Sequence, residues 1–353
     1  MDKEKSQKID AMKCICKFFV SLFVLASSYA LAEALSPPEQ PPMGPGGYDY
    51  PHGAAAVKGP YWAERHSGND NFRYYLYEPA EPTPDEAPVI LFLHGWGGMS
   101  PNAYEKCIEH IVRKGYTVVW VQYQNGVLTP PWLFARYAVV TWKDALKRLD
   151  AEDSHVRPQK NIEDEYITAF MGHSAGGYLS AIVAAKAAKQ RTGIPKPYAV
   201  VAVEPGGLGI IPKARFSDID PDTKFVIVVG DEDNIVCKST AVFIWNEISQ
   251  IPDAYKDFLL VRSDYYGDPF QVSHHFFPVT SDVEVLDARD FYVTFKLSVG
   301  AFNCAFAGLD CEYGIGNGSF EQIDMGNWSD GQPMIPMVWV EDPNFLETTC
   351  EDP

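Results

Sequence analysis

The sequence predicts an α/β fold: a mostly parallel central sheet with helices on both faces and a minimal cap. Three observations lead there. Short apolar runs alternate with amphipathic segments of helical length, the pattern of strands covered on both sides. A strand-like run ending at Met171 passes through Gly172-His173-Ser174-Ala175-Gly176-Gly177 into a helix of small residues. The 353 residues are 46% hydrophobic and 22% charged, enough for one extensive core and unlike a disordered, collagen-like or coiled-coil chain. A net charge of −18 excludes a sequence-independent nucleic-acid binder, which needs concentrated positive charge.

Taken in order, the chain starts with a secretory signal. Residues 18–32 form an apolar run behind Lys13 and Lys17 that closes on Ala30 and Ala32. It falls short of the ~20 apolar residues a bilayer core requires, so removal at Ala32 or Ala34 and release of a secreted or periplasmic product are expected. Translation starting at Met12 would make a tidier signal. Residues 33–50, dominated by Pro and Gly, are expected to be an extended, unpacked leader. A single domain with a C-terminal disulfide-containing extension should occupy 51–353.

Within that domain, strands are expected at 72–77, 89–93, 116–123, 166–171, 199–203, 225–229 and 258–261. Helices are expected near 102–114, 135–149, 175–189 and 240–248. Five cysteines follow the signal, an odd number, so at least one thiol stays free or pairs between chains. Cys304 and Cys311, seven apart around a Gly-containing stretch, are the expected pair.

The chemistry centres on Ser174. Gly-x-Ser-x-Gly between a strand and a helix forms a sharp turn that lifts the hydroxyl at the sheet's edge, above a helix N-terminus. A serine needs a base, and the base an orienting carboxylate. Past the 225–229 strand come Asp231, Glu232 and Asp233, of which Asp233 is favoured because the chain has by then turned over the sheet. After the 258–261 strand come His274 and His275. Upstream, His94-Gly95-Trp96-Gly97-Gly98 leaves the 89–93 strand, and the N–H groups of Trp96 and Ala175 could hold an oxyanion.

These elements, in order and spacing, resemble the α/β-hydrolase superfamily from Val89 to Pro278, and in particular a bacterial secreted esterase or lipase-like branch. In that branch the catalytic histidine precedes x-x-Pro, which selects His275 over His274. The resemblance extends through Asp264-Tyr265-Tyr266-Gly267-Asp268-Pro269 and through Met325-Gly326-Asn327-Trp328-Ser329-Asp330-Gly331.

Other features carry less. Asp218, Asp220 and Asp222 lack the Gly and Glu of a calcium loop, with Thr223 and Val229 in those places, and read as a solvated turn. Asn317 and Asn327 lie in glycosylation acceptor patterns that matter only in a eukaryotic host. Aromatics at Trp132, Phe134, Tyr137, Phe276 and Phe277 are core or pocket lining. No cofactor or metal is implied. The expected activity is therefore hydrolysis of a small-molecule, lipid or polymeric ester by Ser174, His275 and Asp233, with no nucleic-acid partner. The alternatives are a peptidase or amidase of the same fold and a non-catalytic binding protein on the same scaffold.

Overall fold

Nine strands form one sheet in the computed structural model, which describes residues 35–189, 192–280 and 285–350. The apolar run read as an export signal lies outside the described residues. We number the strands β1 (Ala54–Trp62), β2 (Arg73–Ala80), β3 (Val89–Leu93), β4 (Thr117–Val121), β5 (Thr168–His173), β6 (Ala199–Val203), β7 (Lys224–Gly230), β8 (Lys256–Val261) and β9 (Val338–Trp339). Their order is β1-β2-β4-β3-β5-β6-β7-β8-β9. The six from β4 to β8 are mutually parallel, and antiparallel pairs close both ends. A separate two-residue parallel pair joins Glu86–Ala87 to Arg157–Pro158.

The central strands read as unbroken apolar runs because both faces are covered. Every residue of β3, β4 and β6 is buried. Helices α2 (Phe134–Ala151), α3 (Ala175–Ala187) and α4 (Ser239–Glu247) pack with Leu91, Val119, Phe170 and Ile227 on one face. Helices α1 (Glu105–Arg113) and α5 (Lys296–Ala307) pack with the alternate residues Phe92, Val118, Met171 and Val226 on the other. Among the described residues, no helix is long and apolar enough to cross a membrane. Two short helices, α6 (Cys311–Gly314) and α7 (Phe320–Ile323), follow.

Two expectations change. The 33–50 segment is not unpacked over its described part: Pro38, Pro45, Gly46 and Gly47 are buried. The Pro45 carbonyl accepts from His110 at 2.7 Å, and Lys114 Nζ donates to the Gly44 carbonyl at 2.8 Å. Proline-rich chain has few internal hydrogen bonds to offer, but its free carbonyls can be taken up by donors on a neighbouring helix. The second change is β1, which had no apolar signal because it is a half-exposed edge strand.

Cys304–Cys311 forms a disulfide, and Cys237–Cys350 forms another that spacing did not indicate. Cys107 is the buried free thiol among the described residues. The 204–223 segment between β6 and β7 contains one 3₁₀ turn, Phe216–Asp218, and no helical domain. The expectation of a minimal cap holds there.

Candidate active site

Ser174 sits between β5 and α3 at φ 56°, ψ −123°, a conformation that non-glycine residues rarely adopt. The neighbouring glycines make this turn possible. A Cβ on Gly176 would fall 2.0 Å from the Leu93 carbonyl oxygen, and one on Gly172 would fall 2.3 Å from that of Gly176. The elbow is thus pressed onto the end of β3. Such a strained turn at a strand–helix junction is a known place for a reactive serine.

His275 lies in the loop after β8 and is buried. Its Nε2 is 2.9 Å from Ser174 Oγ, and its Nδ1 is 2.8 Å from Asp233 Oδ2. Asp233 Oδ1 accepts from the N–H groups of Ile235, at 2.8 Å, and Val236, at 3.1 Å. Burial pushes the Asp233 carboxyl up, but the hydrogen bond and charge of His275, with the Val236 N–H, help to outweigh it, and the carboxyl is held down at about 2. Asp233 is therefore an anion at neutral pH. The other two acids of the run are engaged elsewhere, Asp231 by the Ser263 hydroxyl and N–H and by Arg262, and Glu232 by Tyr265. His274 accepts from the Phe276 N–H at 3.1 Å. The geometry brings together Ser174, His275 and Asp233.

The other two residues expected at the site lie at the same edge. A Cβ on Gly95 would stand 3.2 Å from Ser174 Cβ, so the 94–98 loop rests on the elbow. The backbone N–H groups of Trp96 and Ala175 have no acceptor among the described residues. The Ala175 N–H is one of the orphan donors every helix N-terminus carries. Gly97 N–H is held by the Gln124 side chain at 2.9 Å, which fixes the loop.

Sequence reasoning missed a buried relay beneath this loop. Gly95 N–H donates to the Tyr104 hydroxyl at 2.8 Å, Tyr104 lies 2.9 Å from His173 Nδ1, and His173 Nε2 lies 2.8 Å from the His275 carbonyl. The carbonyl can only accept, so Nε2 carries the proton and Nδ1 accepts from Tyr104. This chain ties the loop after β3, the elbow and the histidine loop together. The faint signal for it was the histidine inside the Gly-x-Ser-x-Gly motif. Glu204 was also missed, a fully buried carboxyl beside Asp233.

Burial keeps His173 neutral, with its pKa lowered to about 3, reinforced by the adjacent His275. It does the same for His94, at about 4, and for His110, at about 3. A histidine whose folded pKa is depressed contributes stability that is present above about 6.5 and is lost as the pH falls toward the folded value. Each of the three should remove up to about 1.4 kcal/mol per pH unit below that point. Denaturant unfolding should show stability falling steeply from about pH 6 to 4. His173→Gln should reduce that slope, and an unchanged slope would rule out a neutral His173.

Among the described residues, ligand atoms close enough to hold an ion occur at Glu204, Asp233 and His275, within 4.8 Å of one another. Asp233 and His275 are already hydrogen-bonded to each other. No curated protein matches the chain. A family model described as Chlorophyllase matches residues 77–213. That stretch runs from within β2 to the loop after β6, so it includes the 94–98 loop and the elbow and stops before Asp233 and His275. The sheet order, the elbow and this match together show an α/β-hydrolase fold, in a chain that over residues 77–213 is similar to the chlorophyllase family.

Proposed function

We propose that this protein is a serine hydrolase that cleaves carboxylic esters. The observation that carries the proposal is the continuous hydrogen-bonded chain from Ser174 Oγ through His275 to Asp233, at 2.9 and 2.8 Å. In this mechanism Ser174 attacks the acyl carbon while His275 Nε2 takes its proton. The oxyanion forms against the free N–H groups of Trp96 and Ala175, and the alcohol leaves with the proton from His275. Water activated by the same imidazole then hydrolyses the acyl-enzyme. Asp233 stays ionised throughout, holding Nδ1–H and stabilising the imidazolium.

Esters are favoured over amides because the chlorophyllase family is of carboxylesterase type. The surroundings favour an apolar, bulky ester. Trp96, Leu128, Trp132, Ile210, Ile235 and Phe276 are all exposed, and all lie on segments that follow the carboxyl ends of sheet strands, the edge that carries Ser174. Exposed apolar side chains gathered at one edge mark binding surfaces. Two disulfides support an oxidising compartment, and with the apolar run at 18–32 they support an exported, esterase or lipase-like enzyme.

The test is a matched pair of p-nitrophenyl esters and p-nitroanilides across acyl lengths, with intact mass measured after a fluorophosphonate probe. One adduct per chain and ester turnover rising with acyl length are expected. Anilide turnover at or above the ester rate would make the enzyme an amidase. A folded chain with no adduct would make it a binding protein.

A further inference from the structure

Glu204 stands at the exit of β6, next to the elbow strand, and the mechanism above makes no use of it. It is 0% exposed and holds φ 46°. Its Oε1 accepts the Gly230 N–H at 2.6 Å, at the exit of the neighbouring strand. Glycine at 230 makes room for this contact: a Cβ there would fall 2.7 Å from Oε1 and 2.1 Å from the Ser273 carbonyl oxygen. Glu204 Oε2 has no hydrogen-bond partner among the described side chains. One oxygen of Glu204, one of Asp233 and one ring nitrogen of His275 nevertheless lie within 4.8 Å of one another.

Two carboxyl groups buried this closely do not both ionise. Asp233 has the stronger hold on the negative charge, with two backbone donors on Oδ1 and His275 on Oδ2. Glu204 has one backbone donor. The titratable groups that face it are Asp233, His275 and Lys238, and the Lys238 ammonium is turned to the Asp231 carbonyl at 3.5 Å. Burial and the Asp233 charge accordingly raise the Glu204 carboxyl well above the usual range. The proton belongs on Oε2, the oxygen left without another partner, and the acceptor beside it is Asp233.

We propose that Glu204 is a positioning residue of the Ser174–His275–Asp233 site, a neutral carboxylic acid that donates its O–H to Asp233 and so anchors the carboxylate that orients His275. The inference rests on the assignment of that triad. No proton leaves Glu204 during turnover. Its work is to add a hold on Asp233 beside those of the Ile235 and Val236 amides.

The test combines spectroscopy with kinetics on the full chain. The infrared difference between wild type and Glu204→Gln at neutral pH should contain the C=O stretch of a protonated, deuterium-sensitive carboxyl. Absence of that band overturns the proposal whatever the variants do to activity. Glutamine keeps both the acceptor for Gly230 and a donor for Asp233, so kcat should fall by no more than about tenfold and the acid limb of kcat/KM should stay in place. Glu204→Leu removes both and should lose about 10²-fold in kcat with little change in KM, the loss expected when a reacting group is displaced by about 1 Å. A Glu204→Gln loss of about 10⁴-fold, with the acid limb moved to lower pH, would make Glu204 the ionised orienting acid in place of Asp233. Full activity in Glu204→Leu would make it a space-filling residue. Fluorophosphonate labelling of wild type tells the two levels apart, since an unlabelled wild type refutes the triad while the infrared band still reports the Glu204 proton.

Discussion

Ser174→Ala should lower ester turnover by at least about 10⁴-fold, abolish fluorophosphonate labelling and leave thermal unfolding nearly unchanged. The large kinetic effect follows from removing the atom that forms the acyl bond. The residual rate reflects only what an oxyanion site and substrate binding supply without a nucleophile. The small structural effect follows from the local contacts. Among described residues Ser174 Oγ has one partner, His275 Nε2, while the backbone bonds that define the elbow, Ser174 N–H to Val203 and Tyr178 N–H to Ser174, do not involve the hydroxyl. One hydrogen bond is worth about 1 kcal/mol net. Alanine tolerates φ 56° no better and no worse than serine, so the strain is unchanged. Turnover within tenfold of wild type would exclude Ser174 as the nucleophile.

Asp233→Asn should lower kcat by about 10⁴-fold at neutral pH with little loss of stability. The positions of the donors explain why so small a change acts so strongly. Ile235 and Val236 both donate to Oδ1, so in the variant the amide oxygen must remain on their side. The NH2 group then takes the place of Oδ2 and points a donor at His275 Nδ1. Nδ1 has to accept, the ring proton moves to Nε2, and Nε2 can no longer take the proton of Ser174. The histidine remains in place in the wrong tautomer. Asp231→Asn is the comparison. Its side chain serves Ser263 and Arg262 at the β7–β8 exits, and its replacement should cost stability well before it costs kcat. A larger kinetic loss in Asp231→Asn than in Asp233→Asn would reassign the orienting acid.

Chain locality explains what could be read in advance. The elbow was legible because its requirements are local: a strand, two glycines within four residues of each other, and a helix of alanines that can approach the sheet closely. The strands from 89–93 to 258–261 were legible because their burial on both faces forbids polar interruption, although several begin or end one or two residues from where the apolar runs do. β1 was not legible, since an edge strand with a half-exposed face carries no such pattern. The 33–50 segment was misjudged because composition reports the lack of internal hydrogen bonds and says nothing of donors elsewhere, such as His110 and Lys114, that bind its carbonyls.

By itself, the sequence determined the α/β class, the strand order of the chemistry along the chain, and Ser174 as the residue to examine, because each follows from periodicity or from a short motif. The sequence favoured Asp233 over Asp231 and Glu232, and the resemblance favoured His275 over His274, but that Asp233 meets His275 and His275 meets Ser174 belongs to the tertiary structure. Adjacent residues share nearly the same composition and context, and only the direction in which the backbone presents each side chain tells them apart. Glu204, His173 and Tyr104, together with the Cys237–Cys350 bridge, belong wholly to the tertiary level. Their significance lies in which atoms they meet across 29 to 113 residues of chain, and no local pattern encodes a contact of that range.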